Sequence, residues 1–123
     1  MKRPLKILVI DDSPFILKAV KRALEPQGCE IVAYADNGKS GIEMYEKHKP
    51  DVVTLDMTMP VMDGLETASS LLTRDPNVKI IMLSAMGDEM LAQKAKKIGV
   101  SQFIAKPFNS DDLVKIVNNL FEV

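Results

Sequence analysis

The sequence predicts an α/β domain in which a parallel β-sheet is covered by helices on both faces. Five apolar segments of strand length alternate with five segments whose apolar residues recur at helical spacing. The third apolar segment, residues 52–56, is largely apolar on both faces, as expected for a middle strand. Strict alternation favours parallel strands joined by right-handed crossovers. The length of 123 residues suits one domain, which we expect to span residues 1–123.

The strands are predicted from short apolar runs that end at turn residues or at polar side chains. They cover residues 5–10, 30–35, 52–56, 79–83 and 103–105. Turn segments rich in Gly, Pro, Asn and Asp separate them from the helical segments. We therefore expect each strand to be followed by a helix that returns across the sheet.

The helices are predicted from apolar stripes and from residues suited to helix ends. Ser13, followed by a proline, is placed to cap the first helix, and Asp63 opens the third. Gly99 is placed just after the fourth helix, and Ser110 is placed to cap the fifth. The core-facing residues expected on the five helices are Phe15, Ile16, Ala19, Val20, Ala23 and Leu24; Ile42 and Tyr45; Leu65, Ala68, Leu71 and Leu72; Leu91, Ala95 and Ile98; and Leu113, Ile116, Val117, Leu120 and Phe121.

Composition excludes several classes of function. The net charge is -1, which offers no electrostatic attraction for nucleic acid or an anionic membrane. No apolar run approaches the roughly 20 residues that span a bilayer, and no secretory signal is recognisable. The single cysteine, Cys29, excludes an internal disulfide and is interpreted as a small core residue. We therefore expect a cytoplasmic protein that does not insert into membranes.

Chemically active side chains follow four of the five predicted strands. Asp11 and Asp12 end the first strand, Asp56 the third, Ser84 the fourth and Lys106 the fifth. Open α/β sheets bind ligands at the carboxyl ends of their strands. The alternative is that these acids only end strands and cap helices. Five such groups on four strands favour a functional site.

The three acids share one pocket if the first and third strands are neighbours. Two like charges ~4 Å apart repel by about 4 kcal/mol at an effective dielectric constant of about 20. Lys106 offsets only part of this repulsion, so either some acids are protonated or a divalent cation lies among them. Oxygen ligands favour Mg²⁺, Mn²⁺ or Ca²⁺ over zinc. An aspartate with Mg²⁺, a hydroxyl and a lysine suits phosphoryl transfer onto a carboxylate.

Four segments resemble the signature blocks of response-regulator receiver domains. They are residues 10–13 (Ile-Asp-Asp-Ser), 55–64, 83–85 (Leu-Ser-Ala) and 105–108 (Ala-Lys-Pro-Phe). The second has the pattern Asp-x-x-Met-Pro-x-x-Asp-Gly, which is highly specific in this setting. The resemblance covers the whole chain. Among receivers, the chain is most similar to the single-domain, CheY-like receivers of the chemotaxis type. The resemblance implies a flavodoxin-like fold with strand order 2-1-3-4-5.

The resemblance also implies roles for the acids and for the residue two after the central one. Asp56 is the expected phosphoacceptor. Asp12 is expected to bind Mg²⁺ directly, and Asp11 mostly through water. The backbone carbonyl of Thr58 would complete the metal site. Mn²⁺ is expected to substitute for Mg²⁺.

Three further residues correspond to the family's phosphoryl-binding and switching positions. Lys106 would contact the phosphoryl group, and the bond from Lys106 to Pro107 is expected to be cis. Ser84 matches the switch hydroxyl, and Phe103 matches the switch aromatic residue. That residue is often tyrosine, so Phe103 fills the pocket without offering a hydroxyl.

The resemblance implies a phosphorylation-controlled interaction module and not a metabolic enzyme. A histidine kinase or phosphotransfer protein would supply the phosphoryl group, and a downstream protein such as a flagellar motor switch would read it. A phosphorelay intermediate and a receiver belonging to a larger regulator are the alternatives. We expect a monomer.

Two functions of other classes are less well matched. An aspartate-nucleophile phosphatase of the haloacid dehalogenase kind needs a second acid two residues after the nucleophile, where this chain has Thr58. A flavin-binding module of similar architecture needs a phosphate-binding loop after the first strand. Asp11 and Asp12 would repel a phosphate there unless a metal were present.

Several conspicuous residues are interpreted as structural. His48 is expected at an exposed helix end. The lysines of the fourth helix, Lys94, Lys96 and Lys97, are expected to form a solvated face. The methionines around the site are interpreted as packing residues, with Met86 also placed to affect water access; they are Met57, Met59, Met62 and Met86.

Overall fold

Five parallel strands form one sheet in the order β2-β1-β3-β4-β5 in the part of the chain that the structure describes, residues 4–59, 62–85 and 87–121. The structure is a computed structural model. The strands are β1 (Lys6–Ile10), β2 (Glu30–Ala35), β3 (Val52–Asp56), β4 (Ile80–Ser84) and β5 (Gln102–Ala105). This order confirms the predicted flavodoxin-like sheet. It also places β1 beside β3, with Ile10 opposite Leu55. The acidic ends of these two strands are therefore neighbours, as predicted.

The helices follow the strands in the predicted alternation. They are α1 (Pro14–Leu24), α2 (Gly38–His48), α3 (Gly64–Arg74), α4 (Glu89–Ile98) and α5 (Ser110–Phe121), with a short 3-10 turn at Glu25–Gln27. The longest of them has 12 residues. Among the described residues, therefore, no helix is long and apolar enough to cross a bilayer.

Apolar cores lie on both faces of the sheet. One core joins α2, α3 and α4 to the sheet, and the other joins α1 and α5 to it. Every residue of β3 is buried, as its apolar run predicted. Cys29 packs against the second core as expected, and burial raises the pKa of its thiol.

Three residues predicted to face the core are instead exposed. Phe15 is 77% exposed, and Ile98 and Phe121 are each 39% exposed. All three lie within a turn of a helix end, where the helix has fewer neighbours to cover its apolar stripe. The prediction of these three core positions was wrong.

Two of the predicted helix caps are also corrected. The Ser13 side chain makes no capping hydrogen bond; the Ser13 N–H instead donates to Asp11 Oδ1 at 2.9 Å. At α5 the amide of Asp112 donates to Asn109 Oδ1 at 2.8 Å, so Asn109, rather than Ser110, supplies the capping side chain. Asp63 behaves as predicted and accepts from the Glu66 amide at 2.8 Å.

The fourth strand is one residue later than predicted, and this matters for the site. Ser84 is the last residue of β4 and lies opposite Ala105 of β5. The Lys106 amide donates to the Ser84 carbonyl at 2.7 Å. Sheet pairing therefore holds the backbone of Ser84 against the backbone of Lys106.

Gly64 lets α3 start directly against the end of β3. A Cβ there would overlap the Asp56 carbonyl oxygen and would lie 2.8 Å from Met57 Cα. The Gly64 amide donates to the Met57 carbonyl at 2.9 Å. The Asp-Gly pair of the sequence block thus holds the start of α3 close to the acid that ends the central strand.

Two of the methionines near the site, Met57 and Met59, have the packing role expected of them, whereas Met62 is only partly buried and belongs to neither core. Met57 is fully buried, and Met59 packs partly buried against the core of α2 and α3. Met86 lies outside the described residues, as do Pro60 and Val61 of the sequence block.

Candidate functional site

Three carboxylates meet at the carboxyl edge of the sheet. One oxygen from each of Asp11, Asp12 and Asp56 lies within 4.8 Å of the others. Asp11 and Asp56 are buried, whereas Asp12 faces solvent. The neighbouring of β1 and β3 produces this cluster, because parallel strands bring their carboxyl ends to the same edge.

Lys106 bridges the two buried acids. Its Nζ lies 3.0 Å from Asp11 Oδ2 and 3.1 Å from Asp56 Oδ1. Burial alone would lower the pKa of Lys106, but its close contacts with the negatively charged Asp11 and Asp56 raise it above its ordinary value. The ammonium is therefore held in its charged form between the two acids.

Burial raises the pKa of Asp56 from an ordinary 3.8 to about 6. The charge of Asp11 adds to this effect, while Lys106 and the Thr58 amide oppose it. The Thr58 N–H lies 3.4 Å from Asp56 Oδ1, a long hydrogen bond. A buried carboxylate whose charge is costly and which lies beside a lysine is a candidate reactive group.

Burial also raises the pKa of Asp11, against the opposing hydrogen bond from the Ser13 amide and the contact with Lys106. Asp11 Oδ2 is buried and has no properly aligned hydrogen-bond donor among the described residues, although Lys106 Nζ lies close to it. One lysine therefore offsets only part of the negative charge of the two buried acids. The oxygen-only donor set and the unsatisfied oxygen fit a hard divalent cation such as Mg²⁺.

Ser84 and Phe103, the predicted switch residues, lie next to this cluster on β4 and β5. Ser84 is half-buried and lines an open cleft of about 310 Å³ together with Asp88 and Lys106. Phe103 is half-buried, lies opposite Met82 and packs against the core on that face. The structure thus places both predicted switch residues on adjacent strands.

Lys96 has a contact that the sequence did not predict. Its ammonium lies 5.6 Å from the centre of the Phe103 ring, a cation–π distance. Lys96 was expected to lie on a solvated face, and the residue is indeed exposed. No local pattern could have found this contact, because α4 and β5 come together only in the folded chain.

Two further sequence-based expectations concern the bond between Lys106 and Pro107 and the exposure of His48. The bond between Lys106 and Pro107 is cis, which confirms the sequence-based expectation. His48 is the last residue of α2 and is half-buried rather than fully exposed.

Known proteins resemble this chain across nearly all of its length. The family described as the response regulator receiver domain matches residues 7–118. The chemotaxis protein CheY of Listeria monocytogenes is 42% identical over 90% of this chain and 93% of its own length. The chemotaxis protein CheY of Bacillus subtilis is 40% identical over 92% and 94%.

A solved structure shows the same likeness in three dimensions. A chain in the crystal structure of the CheX–CheY–BeF₃–Mg²⁺ complex from Borrelia burgdorferi superposes with a TM-score of 0.91 at 34% identity. The match covers 98% of this chain and 91% of that chain. The predicted resemblance is confirmed: this chain belongs to the family of response regulator receiver domains, signalling modules for which phosphorylation and Mg²⁺ binding are general features.

Proposed function

We propose that Asp56 accepts a phosphoryl group from a histidine kinase or a phosphotransfer protein. The supporting observation is the position of Lys106 Nζ, about equally far from the carboxylates of Asp11 and Asp56. A cation in that position can contact a phosphoryl group carried by Asp56 while it still offsets the charge of Asp11. Transfer breaks the N–P bond of a phosphohistidine donor and forms an O–P bond to Asp56. The histidine nitrogen then takes up a proton.

The acids around Asp56 are proposed to hold Mg²⁺. Asp12 would bind it directly from the solvent side, Asp11 through water, and Asp56 with one carboxylate oxygen. The backbone carbonyl of Thr58 would complete the ligand set. When bound, the metal neutralises negative charge on the phosphoryl oxygens.

The other residues of the site orient the Asp56 carboxylate and stabilise the charge of the phosphoryl group. Asp56 Oδ1 is engaged by Lys106 and the Thr58 amide, and among the described residues no hydrogen bond or ion pair reaches Asp56 Oδ2. The second oxygen is therefore available to the phosphorus atom. Ser84, on the neighbouring strand, is proposed to donate a hydrogen bond from its hydroxyl group to a phosphoryl oxygen.

Labelling tests the phosphoacceptor. Incubation with acetyl phosphate and Mg²⁺ should add one phosphoryl group that is labile to base, and intact-protein mass spectrometry measures it. Asp56→Asn should abolish the label because the amide is not a competent acceptor. Asp75→Asn, which removes a carboxylate far along the chain at the end of α3, is the matched control and should be labelled normally. Equal labelling of Asp56→Asn and the parent would exclude this site.

The phosphorylated form is proposed to change the face made by α4, β5 and α5. A Ser84 hydroxyl drawn towards the phosphoryl group would leave space beside the cleft. Phe103 lies two residues before Ala105 and so on the same face of β5, and Ala105 lines that cleft. The aromatic ring would turn inward, because packed interiors respond to vacated space by repacking.

Amide chemical shifts test this route. Beryllofluoride with Mg²⁺, a mimic of the phosphoryl group, should shift amides from Ser84 to Ile98 and around Phe103. Ser84→Ala should bind the mimic yet show smaller shifts at Phe103. Shifts confined to the acidic cluster, or unchanged distant shifts in Ser84→Ala, would contradict the coupling.

Lys106→Ala should be phosphorylated more slowly than the parent, and its amide shifts should respond only weakly to phosphorylation.

We further propose a role in chemotaxis, as a single-domain, monomeric receiver that acts in the cytoplasm. This is supported by the likeness to chemotaxis proteins over more than nine-tenths of their own length. A flagellar motor switch protein is the proposed reader of the phosphorylated form. Pull-down with the beryllofluoride form should retain such a protein, and Asp56→Asn should not. Retention of a phosphotransfer protein alone would favour a phosphorelay intermediate instead.

A further inference from the structure

The turn that joins β4 to α4 is closed by two hydrogen bonds between Ala85 and Asp88. The Ala85 amide donates to Asp88 Oδ2 at 2.8 Å. In the other direction, the Asp88 amide donates to the Ala85 carbonyl at 3.2 Å. The Asp88 side chain therefore reaches back towards the strand instead of forward along the helix.

This orientation differs from that of equivalent residues elsewhere in the chain. Asn37 before α2 accepts from the Ser40 amide, and Asp63 before α3 accepts from the Glu66 amide, three residues ahead in each case. Asp88 occupies the same position before α4 but makes no capping hydrogen bond to it. By the same spacing, the amide it would cap is that of Leu91.

The backward hydrogen bond connects α4 to the residue that follows Ser84. The Ser84 carbonyl is itself held by the Lys106 amide at 2.7 Å, so Ala85 carries the first amide beyond the end of the β4–β5 pairing. Asp88 lines the same cleft as Ser84 and Lys106. The Ser84 carbonyl and the Ala85 N–H belong to one peptide unit, so a backbone displacement at Ser84 would move the Ala85 amide relative to the Asp88 carboxylate.

We propose that Asp88 is a positioning residue with two alternative hydrogen-bond partners, the Ala85 amide in the resting protein and the Leu91 amide in the phosphorylated one. The proposal rests on the proposed function, because it takes the movement of Ser84 as its cause. A cap and a hydrogen bond to a charged group have similar strength, so a small bias decides between the partners. A phosphoryl group supplies that bias by displacing Ser84 and by repelling the Asp88 carboxylate.

Two substitutions at position 88 should bias the equilibrium in opposite directions. Asp88→Ser keeps a good N-cap for α4, but its shorter side chain does not reach back to Ala85. Asp88→Glu is a poor N-cap, yet a glutamate reaches back readily, as it does in capping boxes. We expect Asp88→Ser to bind beryllofluoride with Mg²⁺ about fivefold more tightly than the parent, and Asp88→Glu about fivefold more weakly.

Glu89→Gln is the matched control for charge. Glu89 is the neighbouring residue, is exposed and lines the same cleft. It should show only the small gain that follows from removing one negative charge near an anion. Equal gains in Glu89→Gln and Asp88→Ser, with parental affinity in Asp88→Glu, would reduce Asp88 to a surface charge and overturn the proposal.

Nuclear magnetic resonance observes the exchange of partners directly. A coupling through the hydrogen bond should join the Ala85 amide nitrogen to the Asp88 carboxyl carbon in metal-free protein. Beryllofluoride with Mg²⁺ should replace it with a coupling to the Leu91 amide. An absent first coupling, or one that persists with beryllofluoride bound, would overturn the proposal. Beryllofluoride binding that survives in Asp56→Asn would instead contradict the proposed function, while the metal-free spectrum tests Asp88 independently.

Discussion

Asp56 and Asp75 are carboxylates in opposite electrostatic situations. Burial raises the pKa of Asp56 to about 6, and the Asp11 charge adds to it. A hydrogen bond from the Tyr45 hydroxyl, 2.7 Å from Asp75 Oδ2, lowers the pKa of Asp75. The fold therefore makes the charge of Asp56 costly and that of Asp75 favourable. The difference indicates that the carboxylates at the carboxyl edge of the sheet are arranged for reactivity. The contact between α2 and α3, in contrast, is arranged to stabilise the fold.

The α2–α3 contact combines one partly buried interaction with an exposed network. Burial, and then the hydrogen bond to Asp75, raises the pKa of Tyr45 well above its usual range. Glu46 forms ion pairs with Arg74 at 2.8 Å and with Lys49 at 3.0 Å, all on the surface. Exposed pairs contribute little, so the tyrosine is the residue through which this comparison is best tested.

Gly64→Ala should have the largest effect and should act on the sheet edge alone. The added methyl group would overlap the Asp56 carbonyl and crowd Met57, neither of which can move without shifting β3. We expect a loss of about 3 kcal/mol in the free energy of unfolding and weaker Mg²⁺ binding. Denaturant unfolding and Mg²⁺ titration measure the two effects.

Gly28→Ala is the control for Gly64→Ala. Gly28 has a φ of 89°, but no atom lies within 4 Å of the position that a Cβ would occupy, so only backbone strain applies. It should cost about 1 kcal/mol and should leave Mg²⁺ affinity unchanged. Equal losses of stability and of Mg²⁺ affinity in both variants would show that crowding at Gly64 is unimportant.

Asp56→Asn should stabilise the metal-free protein by about 2 kcal/mol at neutral pH, since it removes the costly charge. The folded-state pKa of Asp56, about 6, lies above the ordinary 3.8, so the folded protein binds the proton more tightly than the unfolded chain. The contribution of the carboxyl to stability is complete below about pH 4 and is lost as pH rises through about 6. Unfolding experiments from pH 4 to pH 7 should therefore show a falling stability that is flatter in Asp56→Asn.

Asp75→Asn should change the pH dependence in the opposite sense. The lowered pKa of Asp75 gives a contribution that is present above its ordinary value of 3.8 and is lost as pH falls through the folded-state pKa. The variant should lose stability at neutral pH and should differ least from the parent in strong acid. Parallel pH profiles for the variants at Asp56 and Asp75 would contradict the contrast between the two regions.

Tyr45→Phe should destabilise the protein by about 1.5 kcal/mol, because it removes a hydrogen bond to a charged carboxylate without creating a cavity. Metal binding at the sheet edge should remain at the parental level, since Tyr45 packs on the core of α2 and α3. Denaturant unfolding and Mg²⁺ titration check both statements. Weakened Mg²⁺ binding would mean that the two regions are coupled.

Thr54→Val should have the smallest effect, a stabilisation of about 1 kcal/mol. Thr54 is fully buried in β3, two residues before Asp56, and its hydroxyl has no hydrogen-bond partner among the described residues. Valine has nearly the same shape and removes the unsatisfied polar group. Thermal unfolding measures the change, and a destabilised variant would show that the hydroxyl has an important partner.

Much of the fold could be predicted because local chemistry determined it. The apolar run that ends at Asp56 predicted a covered middle strand, and the structure buries all of that strand. Asp63 was recognised as a helix start because an N-cap depends on neighbours within three residues. Phe15 was misplaced because helical spacing reveals a stripe but not how far the neighbouring elements extend over it.

The sequence by itself determined the alternation of strands and helices and the presence of acids, a hydroxyl and a lysine at strand ends, since both follow from the order of residues. The tertiary structure alone decided the pKa of Asp56, the bridging position of Lys106 and the cation–π contact of Lys96 with Phe103. It also decided that Asp88 turns back to Ala85 instead of capping α4. The first three features depend on burial and on distances between residues far apart in the chain. The orientation of Asp88 depends on a choice between the nearby amides of Ala85 and Leu91. Local patterns do not encode these quantities.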